Sequence, residues 1–336
     1  PRLQLPLQCI VVLALFAAGE MKSHVLFFTS VIFSLNYVRS IDVMSNAPLE
    51  VWRYFHEVDH DLTKITWFHA CNSRSLLDQA LASDVMMIEA DIVAGHLAGA
   101  GGGPPLAVMG HPPTTVSDLS LEQFLDTVLQ RHRAKGIKLD FKTTAAFRAS
   151  ENILEQFLAR AEVNFPVWVN ADILRGPGIG PGKEVVEPHY FLRTCVTKFP
   201  LATISPGWAV NPNASQTLSY SSMNIDEMTS LLLDSHVVFP VTFPVHAGIA
   251  ANSLDTLTNL VHSSTDGTSL TLWAGQGQHI DYDKLRQLIN NLGKDKVFVD
   301  LPQDMSEKLW NPHQESKANF AVASSALTLL SFLFVL

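Results

Sequence analysis

Two pairs of charged residues, each pair two positions apart, offer most of the chemistry in this sequence. Glu89 and Asp91 stand in the apolar run VMMIEADIV, and Asp140 and Lys142 stand in GIKLDFK. Side chains two positions apart on a β-strand point to the same face. Carboxylates that share a cavity repel each other unless a cation lies between them, and Mg²⁺ and Ca²⁺ prefer such oxygen ligands. The pattern predicts one Mg²⁺ or Ca²⁺ ion at Glu89, Asp91 and Asp140, with Lys142 contacting a phosphate group.

Two histidines add groups that could transfer a proton or attack phosphorus. His69 ends the run KITWFHA, and His111 lies in PLAVMGHPP. Imidazoles titrate near neutral pH, so both are predicted to be catalytic. A lone strand-end histidine is more often structural, and a single carboxylate there can cap a helix. Because several such residues are expected on one rim, a functional site is favoured. Further predicted substrate contacts are Asn72, Asn170 and Trp273, and His246 and Trp208 are weaker candidates.

These residues stand at the ends of short apolar runs that alternate with helical patterns. Leu121, Phe124, Leu125 and Val128, for example, form one helical stripe after Ser120, a predicted N-cap. Eight repeats over about 250 residues predict a single (β/α)8 TIM barrel, with its chemistry at the carboxyl ends of the strands. An open doubly wound sheet is the alternative, but it needs a Gly-rich first turn that KITWFHACNS lacks. The predicted strands are Lys64–Ala70, Val85–Val93, Gly136–Lys142, Val167–Ile173, Leu201–Trp208, Val237–Val245, Ser269–Ala274 and Lys296–Asp300.

Three glycine-rich segments are predicted to be loops. Gly95–Gly103 precedes His111 and is expected to be a mobile loop over the mouth of the barrel. Gly176–Lys183 (GPGIGPGK) is similar to a phosphate-binding loop, but Pro177 and Glu184 occupy positions where that motif needs Gly and Ser or Thr. Gly275–His279 (GQGQH) is predicted to be a turn.

The two ends of the chain have the composition of processing signals. Residues 1–43 are predicted to be a hydrophobic signal segment with the biological start at Met21, a membrane anchor being the alternative. Residues 44–313 would form the barrel. A polar spacer and an apolar tail at 314–336 favour a GPI-attachment signal, a short tail anchor being the alternative. With Asn213 in an N-glycosylation sequon, an extracellular, membrane-anchored protein is expected.

The composition excludes some classes of function. The formal net charge is -9, and no cluster of Lys and Arg provides the basic surface that nucleic-acid binding needs. Three cysteines are too few for a disulfide scaffold, so a packed core must supply the stability. Cys9 lies in the predicted signal segment, and whether Cys71 and Cys195 pair is left open.

The motifs together resemble the menorin family. The resemblance covers Trp52 to Asn311 and depends on WFHACNSR, IEADI, GHPP, KLDFK and VNADILRGPG. That family is similar to the phospholipase-C-like phosphodiesterases, which include glycerophosphodiester phosphodiesterases and sphingomyelinase D. The resemblance implies that His69 and His111 form an acid/base pair, that Glu89, Asp91 and Asp140 bind the metal, and that Lys142 contacts phosphate. Ala70 and Pro112 replace the Arg and Asp of glycerophosphodiesterases, so substrate identity does not carry over.

Two functions follow from these expectations. The first is a metal-dependent phosphodiesterase, a hydrolase or lyase, acting on a small or lipid-like phosphodiester. The second is a non-catalytic recognition cue with cell-surface protein partners, which the menorin family's role in dendrite patterning implies. The two are compatible, because a barrel can carry a site that does not define its biology.

Overall fold

Parallel strands alternate with helices through the part of the chain that the structure describes. The structure is a computed structural model, and it describes residues 48–100, 102–131 and 135–311. The strands are β1 Trp67–Phe68, β2 Met87–Leu97, β3 Leu106–Met109, β4 Val116–Ser117, β5 Gly136–Phe141, β6 Val167–Arg175, β7 Thr203–Ala209, β8 Thr242–His246, β9 Ser269–Trp273 and β10 Val297–Asp300. The helices are α1 Val51–Tyr54, α2 Arg74–Ala82, α3 Leu121–Arg131, α4 Thr144–Leu158, α5 Pro188–Lys198, α6 Ser222–Asp234, α7 Ala247–Ala250, α8 Leu254–Ser263, α9 Tyr282–Leu292 and α10 Gln303–Trp310.

The strands form two parallel sheets that lie side by side. One sheet has the order β1-β2-β5-β6-β7, and the other has the order β8-β9-β10. Trp208 of β7 lies 5.7 Å from Phe243 of β8, ring centre to ring centre, and Trp67 of β1 lies 6.3 Å from Phe298 of β10. The predicted α/β class with a parallel, curled sheet is therefore confirmed. Within the described residues, no backbone ladder joins β7 to β8 or β10 to β1, so a closed ring of eight strands is not confirmed.

The eight predicted apolar runs each contain one parallel strand, although five of the strands start later than predicted, β1 and β8 by the most. Lys64 belongs to a 3₁₀ turn, so β1 begins at Trp67. Pro240 follows Val237 and Val238, and β8 begins after it at Thr242.

An excursion after β2 was not predicted. The strands β3 and β4 both pair with the outer part of β2, β3 antiparallel and β4 parallel. The prediction of a loop from Gly95 to Gly103 is wrong at its start, because Gly95 lies inside β2 and pairs with Leu106. A Cβ at Gly95 would stand 2.1 Å from the carbonyl oxygen of Thr115, so only glycine lets β4 approach β2 so closely.

Helix stripes and caps attach the helices to the sheets as their sequences predict. Leu121, Phe124, Leu125 and Val128 are buried on one side of α3. Ser120 Oγ accepts a hydrogen bond from the backbone N–H of Gln123, whose side chain accepts in return from the N–H of Ser120. This reciprocal cap satisfies two donors that a helix start leaves free.

Apolar side chains close the amino-terminal ends of the strands. Val51, Phe55 and Val58 from the first described segment pack with Trp168 and Phe298. Polar side chains are therefore concentrated at the opposite end, where the strands end. Cys71 and Cys195 are both buried free thiols, so they do not pair.

The predictions made for the two ends of the chain lie outside the described residues, which begin at residue 48 and end at residue 311. Within the described residues, no helix is both long and apolar enough to cross a membrane.

Candidate functional site

Three carboxylates converge where β2 lies beside the carboxyl end of β5. Glu89 and Asp91 are both nearly inaccessible, and Asp91 is the register partner of Asp140 on β5. One oxygen from each of Glu89, Asp91 and Asp140 lies within 4.8 Å of the others. The alternation of side chains along a strand produces this arrangement, because residues 89 and 91 share a face and parallel pairing brings residue 140 beside residue 91.

Lys142 lies between two of these carboxylates. Its Nζ is 2.7 Å from Asp91 Oδ1 and 2.5 Å from Asp140 Oδ2. Burial disfavours the ammonium, but attraction by Asp140, Asp91 and Glu89 raises the pKa of Lys142 well above its ordinary value. Lys142 therefore stays charged and offsets part of the repulsion between the carboxylates.

Asn72 fixes the orientation of Asp91. Its Nδ2 donates to Asp91 Oδ2 at 2.7 Å, and its Oδ1 accepts from the backbone N–H of Asp91 at 2.8 Å. Asn170 acts similarly on the other side, donating from Nδ2 to Asp140 Oδ1 at 2.7 Å. Ser205 of β7 orients Asn170 by donating to its Oδ1 at 2.6 Å. Both asparagines predicted to contact substrate therefore hold carboxylates in place.

His69 joins the carboxylates to the last strand. Its Nδ1 lies 3.2 Å from Asp300 Oδ2 and 3.3 Å from Glu89 Oε2, and its ring is half exposed. Attraction by Glu89 raises the pKa of His69 to about 9, against the effect of burial and with a further contribution from Asp300. Ionised carboxylates only accept hydrogen bonds, so Nδ1 carries a proton and Nε2 is the nitrogen left for a ligand.

The backbone after His69 also holds Glu89. Ala70 has the left-handed φ of 55°, which is uncommon for a residue with a Cβ. In this conformation its N–H donates to Glu89 Oε2 at 2.8 Å, and the N–H of Cys71 donates to the carbonyl oxygen of Glu89. The strained backbone of Ala70 thus contacts the Glu89 carboxylate at the carboxyl ends of the strands, which is called the mouth below. Strained residues are common at functional sites.

The pKa values of Glu89 and Asp140 are shifted in opposite directions. Burial acts most strongly to raise the pKa of Glu89, His69 acts to lower it and repulsion from Asp91 to raise it, and together these effects raise the pKa to about 7. Burial also acts to raise the pKa of Asp140, but Lys142, Lys138 and the hydrogen bonds to this carboxylate together hold it below the ordinary value. Glu89 is therefore the member of the group that is only partly ionised at neutral pH.

His111 lies beside the cluster but makes no hydrogen bond to it. Its exposed imidazole Nδ1 is 2.8 Å from the carbonyl oxygen of Pro112. A carbonyl cannot donate, so Nδ1 carries the proton and Nε2 of the neutral ring has a free lone pair. His111 and Asn72 line one open groove of about 380 Å³ together with Met109, Thr114 and Val116. A backbone hydrogen bond links the groove to the carboxylate cluster: the N–H of Gly110, which precedes His111, donates to the carbonyl oxygen of Asp91.

The remaining predicted residues lie apart from this network. Trp273 is partly buried and meets His246 edge to face at 5.1 Å. His246 is inaccessible and donates from Nε2 to Gln278 Oε1, which also accepts from the N–H of Gly275, in the predicted turn. Trp208 is buried in the core, and Asn213 is exposed in the 3₁₀ turn that follows β7.

Three charged residues of the site were not among the predicted site residues. Asp300, the partner of His69, is the last residue of β10, and a carboxylate at a strand end is the signal that could have indicated it. Asp172 lies on β6, two positions after Asn170 and on the same face of the strand. Lys138 is buried beneath the carboxylates, and its ammonium lies 5.9 Å from the centre of the Trp67 ring.

Comparison with known proteins identifies the family. The model of the menorin N-terminal domain matches residues 61–306 of this chain. The chain belongs to the menorin family. The human protein FAM151B is similar to it, with 35% identity over 242 residues that span 72% of this chain and 83% of the relative. The matched region of this menorin-family protein contains the whole hydrogen-bonded network from His69 to Asp300.

Proposed function

We propose that this menorin-family protein is a metal-dependent phosphodiesterase that acts on a lipid-like phosphodiester at the carboxyl ends of its strands. The observation that carries the proposal is the convergence of Glu89, Asp91 and Asp140, since carboxylates this close repel one another unless a cation lies between them. Five carboxylates meet three cations at this end of the strands, which leaves an excess of two negative charges when all are ionised: Glu89, Asp91, Asp140, Asp172 and Asp300 against His69, Lys138 and Lys142. One divalent cation balances that excess.

The residues present fit one Mg²⁺ or Ca²⁺ ion. Glu89, Asp91 and Asp140 would hold it, because their oxygens lie within 4.8 Å of each other and both metals prefer carboxylate ligands. When bound, the ion would orient the phosphate and neutralise charge that develops on its oxygens. The hydrogen bonds from Asn72 and Asn170 keep two of these carboxylates in position whether or not the ion is bound.

In this proposal His69 is the general acid. Glu89 and Asp300 hold the proton on Nδ1 and raise the pKa to about 9, so the ring is protonated at neutral pH. Its Nε2–H then faces away from the two carboxylates and can protonate the leaving oxygen of a diester.

His111 is proposed as the base or nucleophile. The hydrogen bond from its Nδ1 to the Pro112 carbonyl leaves an unprotonated Nε2 in the neutral ring. An exposed imidazole beside the groove that Asn72 lines can reach a substrate in that groove. The division of roles between the two histidines thus follows from their different hydrogen-bond partners.

The wider architecture is part of the same proposal. We infer that the two sheets form one eight-stranded (β/α)8 barrel of the phospholipase-C-like type. The support is that β7 contacts β8 and that His69, at the end of β1, bonds to Asp300 of β10. We also propose that the protein is exported and glycosylated at Asn213 and has a C-terminal membrane anchor. The exposure of Asn213 supports the glycosylation, and a shift in mobility after glycosidase treatment would test it.

Hydrolysis of a panel of diesters tests the proposed function. The purified protein is assayed on lysophospholipid and nucleotide diesters with Mg²⁺, with Ca²⁺ and with EDTA. We expect metal-dependent release of product that Glu89→Gln and His69→Asn abolish. Glu122→Gln, the same change on the exposed side of α3, should leave the rate unchanged. Turnover that is absent, or that survives both site substitutions, would refute the phosphodiesterase and favour an extracellular recognition role.

A further inference from the structure

The fifth carboxylate of this group, that of Asp172, has no side-chain partner within the part of the chain that the structure describes. Glu89, Asp91, Asp140 and Asp300 each accept at least one hydrogen bond or pair with a cation. The side chain of Asp172 makes neither among the residues that the structure describes, although its backbone carbonyl accepts from the N–H of Val186. The three lysines that influence it electrostatically, Lys142, Lys138 and Lys183, all lie beyond the 4.0 Å of an ion pair.

Asp172 faces the open end of the strands. Trp168, Asn170 and Asp172 share one face of β6, and their exposure increases in that order from 1% and 3% to partial exposure at Asp172. Its Oδ1 lies 2.8 Å from the point that a Cβ on Gly207 would occupy. The carboxylate therefore lies over the bare backbone of β7, where the neighbouring strand supplies no side chain to cover it.

The charges at the mouth indicate what such a carboxylate would bind. Once one divalent ion has balanced the excess of two negative charges, a phosphodiester brings one more negative charge. Burial, together with repulsion from Asp140, raises the pKa of Asp172 to about 6, which still leaves it mainly ionised at neutral pH. An ionised carboxylate only accepts hydrogen bonds, so a donor that also carries a positive charge satisfies both the geometry and the balance of charge.

We propose that Asp172 binds a primary ammonium group of the substrate, so that the preferred phosphodiester is zwitterionic. The inference rests on the proposed phosphodiester site and adds the selection of its substrate class. Asp172 would act in recognition, since it lies on a different strand from both histidines and pairs with neither.

Two small phosphates that differ only in the ammonium test this proposal without requiring turnover. Phosphoethanolamine and ethyl phosphate are titrated separately by calorimetry into the Mg²⁺-loaded full-length protein. We expect the wild type to bind phosphoethanolamine roughly tenfold more tightly or better, as one charge-assisted hydrogen bond would provide. Asp172→Asn, which keeps the shape of the side chain, should bind both probes equally. Asp234→Asn, on the exposed end of α6, should keep the wild-type preference.

Equal binding of the two probes by the wild type would overturn the inference. It would also fail if Asp172→Asn weakened both probes together and reduced the affinity for Mg²⁺ alone as strongly as Asp140→Asn does. That result would make Asp172 a further metal ligand. Failure of the proposed function has a different signature: no diester is hydrolysed, while the preference for phosphoethanolamine and its loss in Asp172→Asn remain.

Discussion

Replacing Lys142 with methionine should make the protein less stable without metal and more responsive to it. The ammonium pairs with Asp91 at 2.7 Å and with Asp140 at 2.5 Å, and its side chain is 21% exposed. Removing one partner of a buried ion pair lowers the free energy of unfolding by about 3–5 kcal/mol. Because the Lys142 side chain is partly exposed, we expect a loss of about 3 kcal/mol. For a domain of this size, that lowers the Tm in EDTA by about 6–12 °C.

The same change should strengthen metal binding. Lys142 pairs with carboxylate oxygens that the metal would use. At a distance of about 5 Å and an effective dielectric constant of about 20, its ammonium would repel each unit of positive charge on the ion by roughly 3 kcal/mol. Relaxation of the site reduces that figure, so we expect an affinity for Mg²⁺ or Ca²⁺ that is higher by at least about tenfold, or about 1.4 kcal/mol. Free metal at about 100 times its Kd already stabilises the fold by about 2.7 kcal/mol, and the variant should show a larger rise in Tm than the wild type.

Differential scanning fluorimetry over a metal titration measures both effects. Lys142→Arg, which keeps the charge, should stay close to the wild type in EDTA. Lys198→Met removes a surface ion pair with Glu151 and should leave the response to metal unchanged. If Lys142→Met has the wild-type Tm in EDTA, or a metal response no larger than the wild type, then Lys142 does not balance the carboxylates and this reasoning is wrong.

Three further predictions follow from single contacts. NMR titration should place the pKa of His69 near 9, and Asp300→Asn should lower that pKa. Because folding raises this pKa, protonated His69 adds to the free energy of unfolding. That contribution is complete below about pH 6.5 and is lost as the pH rises through 9. Asn72→Ala leaves polar groups of Asp91 without their donor and acceptor, so chemical denaturation should show a loss of about 1–3 kcal/mol. Gly207→Ala would place a Cβ 2.8 Å from both Asp172 Oδ1 and Pro244 Cγ. The same assay should show that the free energy of unfolding falls by about 1–3 kcal/mol. For Asn72→Ala and for Gly207→Ala alike, an unchanged denaturation midpoint would contradict the prediction.

Local patterns in the sequence were sufficient to predict much of the site. Spacing by two places Glu89 with Asp91 and Asp140 with Lys142 on single strand faces, and parallel pairing of β2 with β5 brings the pairs together. The apolar runs located the parallel strands for the same reason, since strands buried on both faces carry few polar residues.

Contacts between distant strands could not be predicted in this way. Asp300 is 231 positions from His69, and nothing near His69 in the sequence specifies that the end of β10 lies beside it. The proton position on His111 depends on the backbone that turns the Pro112 carbonyl toward its ring. The strands β3 and β4 have four and two residues, too few for a periodic pattern to stand out from the glycines and prolines around them.

Calorimetric titration of the purified protein with Mg²⁺ and with Ca²⁺ tests the central claim most directly. The account predicts one ion bound per chain, and binding should be lost in Glu89→Gln. Glutamine at this position removes a ligand charge and keeps the volume, and a side chain that is only partly ionised at neutral pH can be replaced without unfolding the protein. Failure of the wild type to bind either ion, or equal binding by Glu89→Gln, would contradict the claim that these carboxylates form a metal site.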